Sequence, residues 1–193
     1  MSTDVKQYVS NVPALDASSL PLDLSIPKRL RIELLDIANR YYLNDVAIGF
    51  FDTHAGSLGK ILAGFENSDI NDDIDAGINN YSASKPISIH GNDDALICSY
   101  FFETANPSSR GGKNMFTVIT NVYNLNNDFY KNLESANFTE NVEPFNHAVY
   151  FKKTVDFVKS SIKSVAEAYT KLFEKPEVID YIAKKGLKSL LCA

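Results

Sequence analysis

Three side chains, His54, His90 and Cys98, have the chemistry for acid–base or nucleophilic catalysis. A thiol activated by a nearby imidazole is a common nucleophile, so the three together would suit a small hydrolase. Cys98, however, lies in a run of apolar residues, where a thiol is usually an inert core residue. No serine stands in a nucleophile-elbow sequence, and no His-Glu-x-x-His zinc pattern occurs. A hydrolase is therefore kept as an alternative, and no residue is assigned as catalytic.

A calcium-binding loop can be aligned with part of the acidic segment 66–84. If Asn71 is position one, Asp73 and Asp75 take positions three and five, where carboxylates bind the ion. The turn glycine comes one place late, and position twelve is Ser82 instead of a glutamate that binds through both oxygens. Asp73 and Asp75 are thus weak metal candidates in a predicted solvated loop, and no metal or cofactor is predicted.

Two further segments are candidates for contact with an anion. Residues 49–60 are glycine-rich at a predicted strand-to-helix junction, the usual place of a phosphate-binding loop. His54 stands where such a loop needs glycine and Ile61 where it needs Ser or Thr, so we expect these glycines to let a helix approach the sheet. The second segment is a glycine-containing basic tip with Arg110 and Lys113, which suits an anion or partner contact or else a solvated turn.

Charge is divided unevenly along the chain. Residues 1–146 contain 10 basic and 19 acidic side chains, whereas residues 147–193 contain 9 basic and 5 acidic ones. The second segment is therefore basic and, as shown below, amphipathic. Such a segment can lie on an anionic membrane, dock on an acidic partner or pack on its own acidic domain. Cys192, near its end, is a lipidation candidate.

The first half of the chain predicts two helices around one strand. A helix begins at Pro27 and places apolar residues on one face at spacings of four, three and four: Leu30, Leu34, Ile37 and Tyr41. Residues 46–51 predict a short buried strand, and residues 55–65 predict a second, shorter helix. The acidic segment 66–84 predicts a loop.

The centre of the chain predicts a long-looped hairpin. Residues 95–103 and 115–125 are rich in aromatic and β-branched side chains, and the segment between them contains one proline and two glycines. Residues 85–90 predict a third strand beside them. A small antiparallel sheet packed against helices, and hence an α+β fold, follows from this order of elements.

The last segment predicts a long helix and a short one. An apolar seam runs through it at alternating spacings of four and three: Phe151, Val155, Val158, Ile162, Val165, Tyr169 and Leu172. Pro176 ends this helix and opens a second over residues 177–185, which Gly186 ends. The apolar tail, residues 187–193, is predicted to continue for another turn or two.

Composition and length exclude several classes of protein. With 193 residues, 45% hydrophobic and 22% charged, the chain predicts one soluble globular domain over 27–193 behind a proline-punctuated extended arm, residues 1–26. A net charge of −5 and a pI near 5.2 argue against a nucleic-acid partner. No apolar run could span a membrane and no secretory signal is visible, so the cytoplasm is the default location, with signal-less export left open.

These observations favour a non-enzymatic interaction or assembly protein that binds a protein partner or itself, through its arm and its apolar tail. The first alternative is a membrane-acting protein, toxin-like or peripheral and lipid-binding, which would place its basic C-terminal helices on an anionic membrane surface. The second alternative is the hydrolase that would use His54, His90 and Cys98.

Overall fold

The computed structural model describes residues 25–65, 70–91, 95–109, 111–125 and 147–192. The predicted arm lies outside these ranges except for its last two residues. The fold is α+β, as the sequence predicts. Its elements in chain order are α1 (Ile26–Arg40), β1 (Val46–Asp52), β2 (Gly56–Ala63), α2 (Asn71–Asn79), β3 (Ile87–Gly91), β4 (Leu96–Ala105), β5 (Lys113–Asn121), α3 (His147–Phe173), α4 (Pro176–Lys185) and α5 (Leu187–Leu191).

The strands form one antiparallel sheet in the order β2-β1-β5-β4-β3. Its centre is the predicted hairpin, in which β4 and β5 pair from Ile97↔Asn121 to Ala105↔Lys113. The predicted third strand is β3, which pairs with β4, and the predicted strand after the first helix is β1, which pairs with β5. Aromatic and β-branched side chains suit this arrangement because they pack well on a pleated surface.

The larger core lies between one face of the sheet and the helices α1, α3, α4 and α5. Three aromatic rings join α3 to the sheet, since Phe116 stacks on Phe102 and on Phe173 with ring centroids 5.0 and 4.5 Å apart. The buried hydroxyl of Tyr169 donates a hydrogen bond to the Leu34 carbonyl (2.7 Å), which ties α3 to α1. The C-terminal half of α3 is therefore held by contacts with the sheet and with α1.

The apolar seam predicted for α3 is correct at Val158, Ile162 and Val165, which are fully buried, but Phe151 at its start is 45% exposed. A straight helix has 3.6 residues per turn, so a seam spaced at 3.5 drifts by about 20° per heptad. Phe151 lies three heptads before Leu172 and has turned out of the seam for this reason.

The prediction of a loop over 66–84 is wrong for residues 71–79, which form α2. Helix α2 packs on the face of the sheet opposite α3, through Ile74 and Ile78. Gly49 lies in the sheet surface under α2 and leaves room for Ile74. A Cβ atom on Gly49 would lie only 2.6 Å from Ile74 Cγ2. Isoleucines four residues apart and a glycine surface to receive them stabilise this helix in spite of its acidic residues.

The prediction of a helix over residues 55–65 is also wrong, because most of this segment forms β2. The Asp52 carboxylate accepts hydrogen bonds from the backbone N–H groups of His54 (2.8 Å) and Ala55 (2.9 Å), which fixes a tight turn after β1. Gly56 follows with a φ of +79°, a conformation that favours glycine. Turn chemistry and pairing with β1 therefore outweigh the helical spacing of the apolar residues.

Candidate functional site

Strand β4 is longer than the strand that pairs with its outer side. β3 pairs with the first half of β4 only, up to the Ile87↔Tyr100 pair. Just before β3, the Pro86 carbonyl accepts a hydrogen bond from the Phe101 N–H group (2.8 Å). Beyond this bond, the outer side of β4 has no strand partner among the described residues.

The direction of the backbone identifies the groups left without a strand partner. In an antiparallel sheet, the N–H and C=O groups of alternate residues point to the same neighbouring strand. The Phe101 N–H group points away from β5, and Glu103 and Ala105 share its direction. The Asn106 N–H group, in contrast, bonds the Gly112 carbonyl on the β5 side (2.8 Å). Glu103 and Ala105 thus present backbone donors and acceptors at an open strand edge.

A groove of about 470 Å³ lies along this open half of β4. This volume is within the range of ligand-binding clefts. The groove combines the strand edge with aromatic and charged side chains. Its principal lining residues are Ala83, Pro86, Tyr100, Phe101, Glu103, Thr104, Lys113 and Glu174.

One polar atom in the groove wall has no hydrogen-bond partner. Thr104 is 2% exposed, and its Oγ1 atom bonds no group in the described part of the chain. Buried hydroxyl groups in folded proteins are normally hydrogen-bonded, because an unpaired one costs about 1–3 kcal/mol. Because Thr104 lines the groove, a change of its side-chain rotamer would bring this hydroxyl to a ligand that enters.

Among the described residues, two of the three charged side chains that line the groove are acidic. Glu103 Oε2 lies 3.9 Å from Lys113 Nζ, and this pair is exposed at the lysine end. Glu174 makes no ion pair within the ranges that the structure describes. Burial and the nearby Glu167 carboxylate raise the pKa of Tyr100 above its usual value. A cationic ligand group would therefore be favoured here.

The three residues of the predicted hydrolase do not come together. His90 lies on the α2 side of β3, where its Nε2 atom is bonded to the Asp73 carboxylate and its Nδ1 atom lies 3.3 Å from Ser88 Oγ. Cys98 belongs to the larger core on the other face of the sheet. His54 lies in the turn between β1 and β2, and the strands β5 and β4 lie between β1 and β3.

The two cysteines are free thiols in different environments. Cys98 is fully buried, and burial raises the pKa of its thiol to about 12, so very little reactive thiolate forms at neutral pH. Cys192 is exposed; partial burial of its thiol raises its pKa, and Lys60 and Lys188 act in the opposite direction. Lipidation of Cys192 stays a prediction.

The two metal candidates bind neighbouring side chains instead of facing a common point. Asp73 bonds His90, and the Asp75 carboxylate accepts a hydrogen bond from Asn79 Nδ2 (2.8 Å). Both lie on the helix α2, so the calcium-loop alignment does not describe the backbone there. Throughout the described ranges, no group of three or more histidine, cysteine or acidic side chains converges on a metal site.

The two predicted anion contacts have different outcomes. Residues 49–60 lie in the hairpin of β1 and β2, so no helix N-terminus follows β1 and the phosphate-binding loop does not form. Gly49 and Gly59 do let a helix approach the sheet, although that helix is α2. Arg110 lies outside the described residues, whereas Lys113 begins β5 and lines the groove.

The apolar face of the long basic helix is used within the protein. The apolar residues of α3 pack into the larger core, and its exposed face carries lysines, including Lys152, Lys159 and Lys163. None of the described helices combines the length and the apolarity needed to cross a bilayer. Contact of this helix with an anionic membrane would therefore rest on its lysines, and it stays a prediction.

Comparisons of the chain with protein-family models, with curated proteins and with solved structures gave no match. The groove must therefore be interpreted from its own geometry. Sequence reasoning found one of its charged residues, Lys113, and missed Glu103, Thr104 and Glu174. One signal was present, since a proline directly before a strand, here Pro86, marks a place where strand pairing stops.

Proposed function

We propose that this chain is a non-enzymatic interaction protein that binds an extended segment of a partner protein as an additional strand beside β4. The unpaired second half of β4 carries this proposal. An extended peptide that continues the sheet beyond the end of β3 would pair with the backbone groups of Glu103 and Ala105. Side-chain contacts in the groove would then add specificity.

The size and position of the groove support this function. Five residues, from Phe101 to Ala105, follow the last β3–β4 pair, and five to six residues is a usual length for a strand. The stacked rings of Phe102, Phe116 and Phe173 lie in the core at the same end of the sheet. The strand edge is thus held rigidly before a partner arrives, which lowers the entropic cost of binding.

The experiment uses the full chain and acetylated, amidated pentapeptides that alternate Thr and Val around a varied central residue. Strand addition is expected to shift the backbone amide resonances of Glu103 and Ala105 and to slow their hydrogen exchange. Peptides methylated on their backbone nitrogens should bind much more weakly, because they lack the donors for a strand ladder.

Ala105→Pro is the decisive variant. It removes the outward N–H group of residue 105 and leaves the hydrogen bonds to β5 in place. Peptide binding should fall by about tenfold, whereas the matched control Ala105→Ser keeps the N–H group and the affinity. The proposal is wrong if no peptide shifts these amides at millimolar concentration, or if Ala105→Pro binds as the parent protein does.

A further inference from the structure

We infer that the segment bound beside β4 is basic, with a lysine or arginine beside Glu103 on one face of the sheet or beside Glu174 on the other. This inference rests on the proposed strand addition and adds the chemistry of the partner. The two carboxylates line the same groove, and Lys113 is the one basic residue among its described lining residues. A cationic side chain would supply the charge that the groove lacks.

A second, independent observation indicates a ligand at this place. The Thr104 hydroxyl is buried in the groove wall and has no partner in the described part of the chain. A hydroxyl group both donates and accepts hydrogen bonds, so it can pair with a backbone or side-chain polar group of a bound peptide. Tyr100 also lines the groove, and an aromatic ring can attract a cation to its face.

Charge also argues against two other occupants. In a symmetric dimer joined through the open half of β4 with its two-fold axis at Glu103, the Glu103 side chains of the two copies would face each other, and like charges facing each other across strands are unfavourable. The chain's own residues 1–24 contain three acids and one lysine, so they do not complement an acidic groove either. A basic segment of a different protein fits best.

The test compares two pentapeptides with the full chain, acetyl-Thr-Val-Lys-Val-Thr-amide and the same peptide with Gln in place of Lys. The lysine peptide should bind about three- to tenfold more tightly, a modest factor because the carboxylates are partly exposed. This preference should largely disappear when ionic strength rises from about 0.05 M to about 0.5 M. It should also disappear in the double variant Glu103→Gln/Glu174→Gln.

Glu177→Gln is the matched control, because Glu177 is an exposed carboxylate on the neighbouring helix α4 and does not line the groove. It should leave the preference intact. If both peptides bind with equal affinity, the basic partner is wrong and strand addition stands. If neither peptide binds, strand addition itself is wrong. If the protein dimerises through β4, as shown by a mass in solution that Ala105→Pro lowers, a second copy is the occupant and the inference is overturned.

Discussion

Two polar regions lie along the same pair of strands, and they differ in whether their polar atoms have partners. At one end of the β3–β4 pair, His90 bonds Asp73 and lies beside Ser88. At the other end, the Thr104 hydroxyl and the outer edge of β4 have no partner among the described residues. Folded proteins pair most of their buried polar groups, so a satisfied cluster is explained by the fold, whereas an unsatisfied group in a groove wall is a candidate for ligand contact.

The difference in partners separates the residues that support the fold from those at which binding is proposed. Histidine and aspartate are the residue types that indicate chemistry in a sequence, yet here His90 and Asp73 join α2 to the edge of the sheet. Threonine and alanine indicate nothing in a sequence, yet Thr104 and Ala105 stand where binding is proposed. The predictions below separate the two regions by stability and by peptide binding.

The largest expected effect is on the α2 side. Gly49→Ala would place a Cβ atom 2.6 Å from Ile74 Cγ2 and 2.8 Å from Thr117 Cγ2, two branched side chains held by the sheet and by α2. The free energy of unfolding, measured with urea, should fall by about 2–3 kcal/mol. Peptide binding beside β4 should be unchanged under conditions where the variant is folded.

Gly111→Ala is the control for this substitution, since a Cβ atom at Gly111 would meet no atom within 4 Å. Its stability should match that of the parent. A Gly49→Ala variant that is as stable as Gly111→Ala would show that α2 does not pack on the sheet at Gly49. The conclusion that the α2 side serves the stability of the fold would then be wrong.

A smaller effect of opposite sign is expected in the groove. Thr104→Val keeps the side-chain shape and removes the unpaired hydroxyl, so the free energy of unfolding should rise by about 1 kcal/mol. Affinity for the pentapeptides should fall by about fivefold at the same time, because the hydroxyl no longer pairs with the ligand. Urea unfolding and a peptide titration measure the two changes in one protein.

Thr117→Val is the matched control, because Thr117 Oγ1 is likewise buried and without a partner in the described ranges, but it faces Gly77 under α2. It should raise stability and leave peptide affinity unchanged. Equal peptide affinities for both variants would mean that the Thr104 hydroxyl has no role in binding.

Much of the fold was predictable because its signals are local. The apolar face of α1, the central hairpin and the α3 seam depend on residue spacing within one element. The errors arose where a longer-range term decided the outcome. The Asp52 turn and the pairing with β1 made a strand of β2, and the glycine at position 49 gave α2 a surface on which to pack.

The candidate site was much less predictable. An open strand edge depends on where two strands end relative to each other. The pairing of Ile87 with Tyr100 cannot be predicted from the sequence of either strand alone. Glu174 reaches the groove only because α3 ends beside β4. Of the groove residues, Lys113 could be singled out beforehand, as part of a basic hairpin tip.

The His90 cluster should have a small effect on stability. His90→Ala and Asp73→Ala each remove one side of a hydrogen-bonded pair at the surface, and a double-mutant cycle should give a coupling energy of about 0.5–1 kcal/mol. Peptide binding at the groove should not change. If either variant instead removes peptide binding while the protein remains folded, the division between a structural cluster and a binding groove is wrong.

The smallest expected effect concerns Asp52, a partly buried carboxylate whose Oδ1 atom accepts two backbone hydrogen bonds. Hydrogen bonds from the Ala55 and His54 amides lower the pKa of Asp52 below its usual value. Its charged form therefore stabilises the folded state above the unfolded pKa, near 4, and this contribution is lost as pH falls through the lowered folded pKa. Because Asp52 is only partly buried, solvent screening limits the effect to about 0.5 kcal/mol.

Asp52→Asn keeps an oxygen acceptor for both amides and removes only the charge. The difference in unfolding free energy between this variant and the parent should be present at pH 7 and should vanish as pH falls to about 2–3. Peptide affinity should stay the same, because β5 lies between β1 and the open half of β4 and neither Asp52 nor its turn lines the groove. A stability difference that persists unchanged at low pH would show that the amide bonds to Asp52 do not depend on its charge. Polar groups with hydrogen-bond partners would then stabilise this fold through hydrogen bonding and not through charge. The cost of the unpaired Thr104 hydroxyl would likewise have to be attributed to the missing hydrogen bond.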